Sequence, residues 1–213
     1  MKRYVLIPVT IVVLCVVALT SWISLTHEDN TKIPMRTVTD ATGTEVVIPQ
    51  HPKRVVILNS ANLDMYYAVG GTVVGKPTSS YISKEIREKT KDVPAVGTLH
   101  SPSVEAIIGL HPDLVIGINV PFNTNLRDIL AQADIPLYIN DLDTYDDVVT
   151  TLTFFGELTN QPDVAKATAD KAMANYNKLV DDAKKQRDRA ALLFSAPPAV
   201  SAWPQVKPSA VIY

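Results

Sequence analysis

Two kinds of hydrophobic pattern alternate along the middle of the chain. The first is a short, continuous apolar run, which is typical of a strand buried on both faces of a sheet. Such runs occupy residues 55–58, 72–75, 113–117 and 136–139. The second is a segment in which apolar residues recur at three- and four-residue steps, as in an amphipathic helix. Such segments occupy residues 61–69, 101–110, 124–133 and 144–158. This alternation predicts an α/β domain over residues 36–160, with a mostly parallel sheet between two helical layers.

Residues at the ends of these segments predict where several elements begin. Two β-favouring runs at residues 36–40 and 45–48 flank a glycine-containing turn and predict a hairpin. Ser101 is the expected N-cap of the second helix, and Pro102 its first helical residue. Thr144, followed three residues later by Asp147, predicts a capping box at the start of the last helix.

A long amphipathic helix is predicted after this domain. Residues 162–189 contain no helix breaker and keep a helical spacing of apolar residues, which predicts a helix of about 40 Å. We expect residues 161–190 to join the first lobe to a second one, with a new strand at residues 191–194. The 19 residues after Phe194 are too few for the crossovers of a second parallel sheet. Residues 191–213 are therefore interpreted as the remnant of a truncated second α/β lobe.

The first 25 residues predict export. Lys2 and Arg3 precede an uncharged, mostly apolar run at residues 4–25, which is long enough to cross a bilayer of about 30 Å. A cleaved signal sequence and a retained membrane anchor both fit this pattern. Cys15 is the single cysteine, but Leu14 before it is larger than a lipoprotein-processing site prefers. Residues 26–35 form a polar spacer, and no disulfide framework is expected after it.

Charge and motifs exclude several classes of function. The formal net charge of −2 and the lack of a basic run interleaved with aromatic residues argue against nucleic-acid binding. The chain contains no G-x-S-x-G, P-loop, G-x-G-x-x-G or H-E-x-x-H motif. We therefore do not expect an enzyme.

The order of six segments resembles the class III periplasmic binding proteins, the receptors of ABC importers for ferric siderophores, haem or cobalamin. These segments are the predicted hairpin, Pro-Lys-Arg-Val-Val at 52–56, Gly-Gly-Thr-Val-Val-Gly at 70–75, Ser-Val-Glu-Ala-Ile at 103–107, Leu-His-Pro-Asp-Leu-Val-Ile at 110–116, and the long helix. The resemblance covers residues 36 to about 195. It implies two α/β lobes joined by one rigid helix, a ligand in the cleft between them, delivery to a membrane permease, and no intrinsic cofactor.

The resemblance also suggests roles for three residues. Glu105 stands where a glutamate of the first lobe pairs with arginines of the permease, although a carboxylate there also offsets a helix dipole. Tyr81 follows a strand end, where family members place a tyrosine as a haem-iron ligand or an aromatic wall. His100 lies in the loop before the Glu105 helix and is a candidate iron ligand if the ligand is haem.

Four further candidates lie after the first buried strand. Asn59, Ser60 and Asn62 begin a helix whose backbone amides suit a carboxylate or propionate group, although simple N-capping also explains them. Met65 has a thioether that suits haem iron, but its helical spacing also suits the core.

Two alternative functions remain open from the sequence. A truncated remnant would lose about half of the contacts that bury a ligand between two lobes, and would bind weakly. A chelatase or nitrogenase-like metalloenzyme has a similar architecture, but such proteins act in the cytoplasm, and the export segment argues against this class.

Overall fold

The computed structural model describes residues 33–195 of the chain, with side chains described through residue 187. The segment predicted to be a signal or anchor, most of the spacer, and residues 196–213 lie outside the described residues. Between residues 33 and 195, none of the helices combines the length and the hydropathy that a membrane crossing requires.

The described residues form strands and helices in an alternating order. These are β1 (Met35–Thr39), β2 (Glu45–Pro49), β3 (Val55–Ile57), α1 (Ser60–Ala68), α2 (Lys84–Lys89), β4 (Gly97–Thr98), β5 (Ser101–Pro102), α3 (Val104–Gly109), β6 (Leu114–Ile118), α4 (Pro121–Thr124), α5 (Arg127–Ala131), β7 (Leu137–Asn140), α6 (Tyr145–Leu158) and α7 (Pro162–Ser195).

A parallel sheet with the strand order β3-β6-β7 lies at the centre of the fold. The predicted strand at residues 72–75 is wrong in extent, because only Gly75 forms a bridge, to Val56 of β3. A turn at Gly70, whose φ is +81°, occupies the residues just before this segment. The segment reaches the sheet only through a hydrogen bond from the Val74 amide to Val55 O (2.8 Å) and one from Ile57 N to Gly75 O (3.2 Å).

Alternate residues of the sheet pack into two separate cores. Ile57 and Ile116 join one core with α1, α6 and the start of α7, in which Phe155 packs edge-on against a ring of α1. Val56 and Val115 join the other core with α3 and α5. Each fully buried aliphatic side chain contributes about 1.5–3 kcal/mol. This arrangement confirms the predicted α/β domain with helices on both faces of a parallel sheet.

The predicted hairpin is confirmed as the antiparallel pair β1-β2. Its turn is held by the Asp40 carboxylate, which accepts hydrogen bonds from the Thr42 and Thr44 amides (2.9 and 3.1 Å). Arg127 of α5 donates to the same carboxylate at 2.5 Å. At the other end, Arg36 pairs with Glu157 of α6 at 2.7 Å. These two ion pairs fix the hairpin to the helical layers.

Two predicted helix starts need correction. Ser101 and Pro102 form strand β5 rather than a helix start, and Ser103 caps α3 by accepting a hydrogen bond from the Ala106 amide at 3.2 Å. The helix expected at residues 124–133 is two short helices, α4 and α5, because Pro121 begins a helix earlier. The capping box of Thr144 and Asp147 is confirmed.

The long helix α7 is confirmed, but the strand expected at residues 191–194 is wrong. That segment continues α7 to Ser195. Its sequence, Ala-Leu-Leu-Phe, contains no β-branched residue, and no helix breaker precedes it, so the helix propagates through it. The division of the chain into an inter-lobe helix and a second-lobe remnant stays a prediction.

Candidate functional site

The carboxyl ends of the parallel strands lie at one edge of the sheet, where open α/β sheets bind ligands. Two adjoining hollows, of about 290 and 320 Å³, lie along this edge and share Asn59, Ser60 and Leu99. We call them together the carboxyl-edge groove. The first hollow is also lined by Pro77, Thr78, Ser79, Ser80, Tyr81, Thr98 and His100, and the second by Ala61, Ile118, Asn119, Val120, Asp141, Leu142 and Asp143.

Tyr81 lies on the outer wall of the first hollow. Its side chain is 86% exposed, so the whole phenol is available to a ligand. The loop that carries it is anchored by Arg87 of α2, whose guanidinium donates to the carbonyl oxygens of Ser80 and Ile82 at 3.2 and 3.0 Å. An exposed ring on a fixed loop suits contact with a flat or aromatic ligand.

His100 lies at the tip of the short β4-β5 hairpin, across the first hollow from the Tyr81 loop. Gly97 makes this hairpin possible, because its φ is +98° and a Cβ there would collide with the Ser101 carbonyl. The His100 ring packs edge-on against Phe122 of α4, with ring centroids 5.1 Å apart. The structure therefore brings Tyr81 and His100 to one hollow. It also packs His100 against an exposed phenylalanine that the sequence analysis did not single out.

A buried asparagine supports the His100 hairpin from below. Asn123 of α4 is fully buried, and its Oδ1 accepts a hydrogen bond from the Ile118 amide at 3.1 Å. Its Nδ2 donates to the Leu99 carbonyl at 3.4 Å. This residue ties Ile118, which lines the second hollow, to Leu99, which lines both.

Asn59 does not act as the helix cap that the sequence suggests. It occupies the N-cap position of α1 in an extended conformation, but its side chain makes no capping hydrogen bond. Only 5% of the residue is exposed, and its buried Oδ1 has no hydrogen-bond partner among the described residues. Asn59 and the partly exposed Ser60 line both hollows. The oxygen is an unsatisfied acceptor beneath the surface of the groove, while other atoms of Asn59 line the two hollows.

The other two α1 candidates do not line this groove. Asn62 is fully buried and exchanges two hydrogen bonds with Asn140 of β7, at 2.8 and 2.9 Å, and Thr151 of α6 completes the network. Met65 is partly buried and packs against the core that α1 shares with α6. The structure brings Asn59 and Ser60 to the groove and turns Asn62 and Met65 toward the interior.

Glu105 lies in the first turn of α3, and its side chain is exposed. Its carboxylate accepts a hydrogen bond from the hydroxyl of Ser103, the N-cap, at 3.2 Å. The charge is therefore favourably placed at the positive end of the helix and remains accessible from solvent. This geometry accommodates both interpretations of Glu105, because offsetting the helix dipole leaves the outer face of the carboxylate free.

A larger hollow lies elsewhere. It has a volume of about 540 Å³ and is lined by the β1-β2 hairpin and by residues at the amino ends of β6 and β7, such as Asp113 and Pro136. We place the candidate site at the smaller groove, because ligands of open parallel sheets bind at the carboxyl ends of the strands. Among the described residues, no group of three or more His, Cys, Asp or Glu side chains is arranged to hold a metal ion.

Comparison with known proteins identifies relatives of this fold. The chain matches the family model described as "Periplasmic binding protein" over residues 55–209. It is 33% identical over 159 residues to the Iron(3+)-hydroxamate-binding protein YxeB of Bacillus subtilis. The aligned region covers 73% of this chain and 44% of YxeB. It is 26% identical over 185 residues to the High-affinity heme uptake system protein IsdE of Staphylococcus aureus, and this alignment covers 87% of this chain and 56% of IsdE. The chain thus spans about half the length of these curated relatives.

Solved structures agree with this assignment. The Staphylococcus aureus protein SirA, crystallised with staphyloferrin B, superposes with a TM-score of 0.58 at 26% identity, covering 73% of this chain and 52% of SirA. The Vibrio cholerae catecholate-siderophore binding protein VctP superposes with a TM-score of 0.61 at 18% identity, covering 72% and 56%, which supports the fold alone. The family match extends over well more than half of the chain, and the parallel-sheet lobe with its long helix agrees with it: the chain belongs to the periplasmic binding protein family of ABC-importer receptors.

Proposed function

We propose that this chain is the extracytoplasmic substrate-binding component of an ABC importer, and that it captures an iron complex or a corrinoid at the carboxyl-edge groove. The observation that carries the proposal is the position of the groove, at the carboxyl ends of β3, β6 and β7 in a member of a receptor family. Relatives named for ferric hydroxamate and haem suggest the range of ligands. The apolar N-terminal run supports export, with the chain either released or anchored at the membrane.

Tyr81 and His100 have defined parts in this proposal. Tyr81 supplies an exposed aromatic wall, and His100 faces the same hollow from the β4-β5 hairpin tip. If the ligand is haem, these two residues are the candidate iron ligands, since phenolate and imidazole both occur as axial ligands. Asn59 and Ser60 then provide polar contacts at the floor between them.

Ligand titration of the full-length chain in mild detergent tests this function. We expect hemin, cyanocobalamin or a ferric trihydroxamate to be retained in equilibrium dialysis and to quench intrinsic fluorescence. Tyr81→Ala, which removes the aromatic wall, and His100→Ala are expected to weaken that binding, whereas Tyr176→Ala, at an exposed tyrosine of α7 outside the groove, serves as the matched control. Retention of none of the three ligands would contradict the proposed function and favour an inactive remnant.

Glu105 is proposed to dock the chain on the permease. An exposed carboxylate at the start of α3 suits an arginine of a membrane partner, because such pairs mainly guide association. Glu105→Ala is expected to lower uptake of a radiolabelled ferric complex by cells that depend on this receptor, with ligand affinity unchanged. Glu45→Ala, an exposed glutamate on the hairpin, is the control. Equal uptake by the Glu105 variant and the control would remove the docking role.

A further inference from the structure

The β4-β5 hairpin, which carries His100, has few contacts of its own to hold it in place. Each strand contains two residues, and the pair Gly97–Pro102 includes a proline that has no amide hydrogen to donate. Even longer two-stranded hairpins are only marginally stable in isolation. The position of the hairpin tip, which consists of Leu99 and His100, therefore depends on contacts from outside the hairpin.

Two successive residues of α4 supply such contacts. The ring of Phe122 packs edge-on against the imidazole of His100, with centroids 5.1 Å apart and an interplanar angle of 74°. The next residue, Asn123, donates a hydrogen bond from Nδ2 to the carbonyl oxygen of Leu99 at 3.4 Å. One turn of helix thus contacts both a side chain and a main-chain group of the tip.

Asn123 is itself fixed at the other end of its amide. It is completely buried, and its Oδ1 accepts a hydrogen bond from the amide of Ile118, the last residue of β6, at 3.1 Å. Gly117 leaves the space for this oxygen, because a Cβ at Gly117 would lie 2.9 Å from it. The oxygen accepts from an N–H group and the nitrogen donates to a carbonyl, so only one orientation of the amide satisfies both partners. The amide therefore links the end of β6 to the hairpin tip.

Asn123 lines neither hollow of the carboxyl-edge groove, whereas Leu99 lines both and His100 lines the first. We propose that Asn123 is a positioning residue of the groove, which sets ligand affinity by holding the tip of the β4-β5 hairpin in place. Without the amide, the tip is free to move away from the Tyr81 loop on the other side of the first hollow. This inference rests on the proposed function and adds a residue that acts on the ligand without contacting it.

Two substitutions separate the two hydrogen bonds of the amide. Asn123→Asp keeps the acceptor for the Ile118 amide but places a second oxygen where the donor to the Leu99 carbonyl was, whereas Asn123→Ala removes both partners. Hemin, cyanocobalamin and a ferric trihydroxamate are the probes, titrated against the full-length chain. We expect each variant to bind the probe that the parent chain retains about fivefold more weakly, which corresponds to one lost hydrogen bond.

Asn140→Asp is the matched control. Asn140 is also a buried asparagine whose amide pairs within the protein, with Asn62, and it lines neither hollow. Its variant is expected to keep the parent's affinity even where its melting temperature falls. Thermal melts of all variants then separate a loss of stability from a loss of binding.

A double-mutant cycle shows whether the effect passes through the hairpin tip. If Asn123 acts through His100, the combination of Asn123→Ala with His100→Ala binds little more weakly than His100→Ala alone. A general loss of packing would instead weaken the double variant by the product of the two single effects.

Nuclear magnetic resonance tests the geometry in the ligand-free chain. We expect a nuclear Overhauser effect between the rings of His100 and Phe122 in the parent chain, and its loss in Asn123→Asp. Gly117→Ala crowds the Asn123 oxygen without changing the amide, and is expected to have the same effect. It replaces Asn123→Asp where that variant does not fold.

The outcomes separate this inference from the proposed function. Parental affinity in both Asn123 variants, multiplied losses in the cycle, or a His100–Phe122 ring contact that persists in the variants would each overturn the positioning role while the receptor function stands. Retention of none of the probes by the parent chain would contradict the receptor function, and the ring contact would still decide whether Asn123 holds the tip.

Discussion

At the scale of single residues, Asp40 illustrates how one buried carboxylate organises a turn. It accepts hydrogen bonds from two amides of its own hairpin and an ion pair from α5, and its side chain is fully buried. Burial by itself would raise the pKa of Asp40, but hydrogen bonds from Thr42 and Arg127 outweigh that effect and hold the pKa below its usual value. The folded state therefore favours the ionised carboxylate.

This pKa shift makes stability depend on pH in a defined direction. Because the pKa of Asp40 is lower in the folded state, ionised Asp40 stabilises the fold above about pH 4, and this contribution is lost as the pH falls through the folded value. Asp40→Asn is expected to lower the free energy of unfolding by about 1–3 kcal/mol at neutral pH. Urea titrations at neutral pH and at about pH 3 should show the difference shrinking in acid.

The control for this prediction is Asp92→Asn, which changes an exposed aspartate in the loop after α2. It is expected to shift stability by less than about 0.5 kcal/mol at either pH. A penalty for Asp40→Asn that stayed the same in acid would show that the lost interaction is not that of an ionised carboxylate.

Two asparagines of one segment show how far sequence reasoning reaches. Continuous apolar runs predicted β3, β6 and β7, because strands buried on both faces need no polar alternation. The carboxyl ends of these strands then indicated the position of the groove.

Asn59 and Asn62 looked equivalent at the start of a helix. Asn62 pairs with Asn140, 78 residues away, while Asn59 is left with a free acceptor. Contacts of that sequence separation leave no local signal.

At the scale of elements, the junction of α6 and α7 depends on small residues. Ala165 is buried, and a Cβ added at Gly156 of α6 would collide with the Ala165 methyl group. Tyr145 of α6 also donates its hydroxyl hydrogen to the Ala169 carbonyl at 3.0 Å. The two helices therefore approach closely over the first turns of α7, and those turns pack as part of the lobe.

A matched pair of substitutions in α7 tests the close packing at Ala165. Ala165→Leu is expected to destabilise the fold by about 1–3 kcal/mol, since the leucine has no room against α6. Ala174→Leu makes the same change at an exposed position of the same helix and is expected to stay within about 0.5 kcal/mol of the parent. Urea denaturation measures both. Similar penalties at the two positions would show that α7 is also packed around Ala174.

At the scale of the whole molecule, side-chain hydrogen bonds fix the loops at the amino edge of the sheet. At the amino edge, the Asp113 carboxylate accepts hydrogen bonds from the Lys53 and Arg54 amides, and the Arg54 guanidinium donates to the carbonyls of Leu110 and His111. Each edge also contains one buried side-chain atom without a hydrogen-bond partner among the described residues, which is His51 Nδ1 before β3 at the amino edge and Asn59 Oδ1 at the carboxyl edge. Unpaired polar atoms therefore do not by themselves distinguish the binding edge from the opposite one.

Packing also divides the molecule into regions of different local stability, which amide hydrogen exchange can measure. Strands β3, β6 and β7 lie between two cores, whereas the side chains of α7 at residues 173–187 are almost all exposed, including Leu179 at 68%. Local opening requires the least free energy where few apolar contacts are lost.

We therefore expect the slowest exchange in β3, β6 and β7, intermediate rates in α6, and the fastest helical exchange at residues 173–187. The exchange of α6 serves as the internal control, because it is a helix of the same chain that is packed on the sheet. If residues 173–187 were protected as strongly as α6, another body would cover that face in solution. Dilution would then show whether the cover is a second copy of the chain, because only an intermolecular contact loses its protection at low concentration.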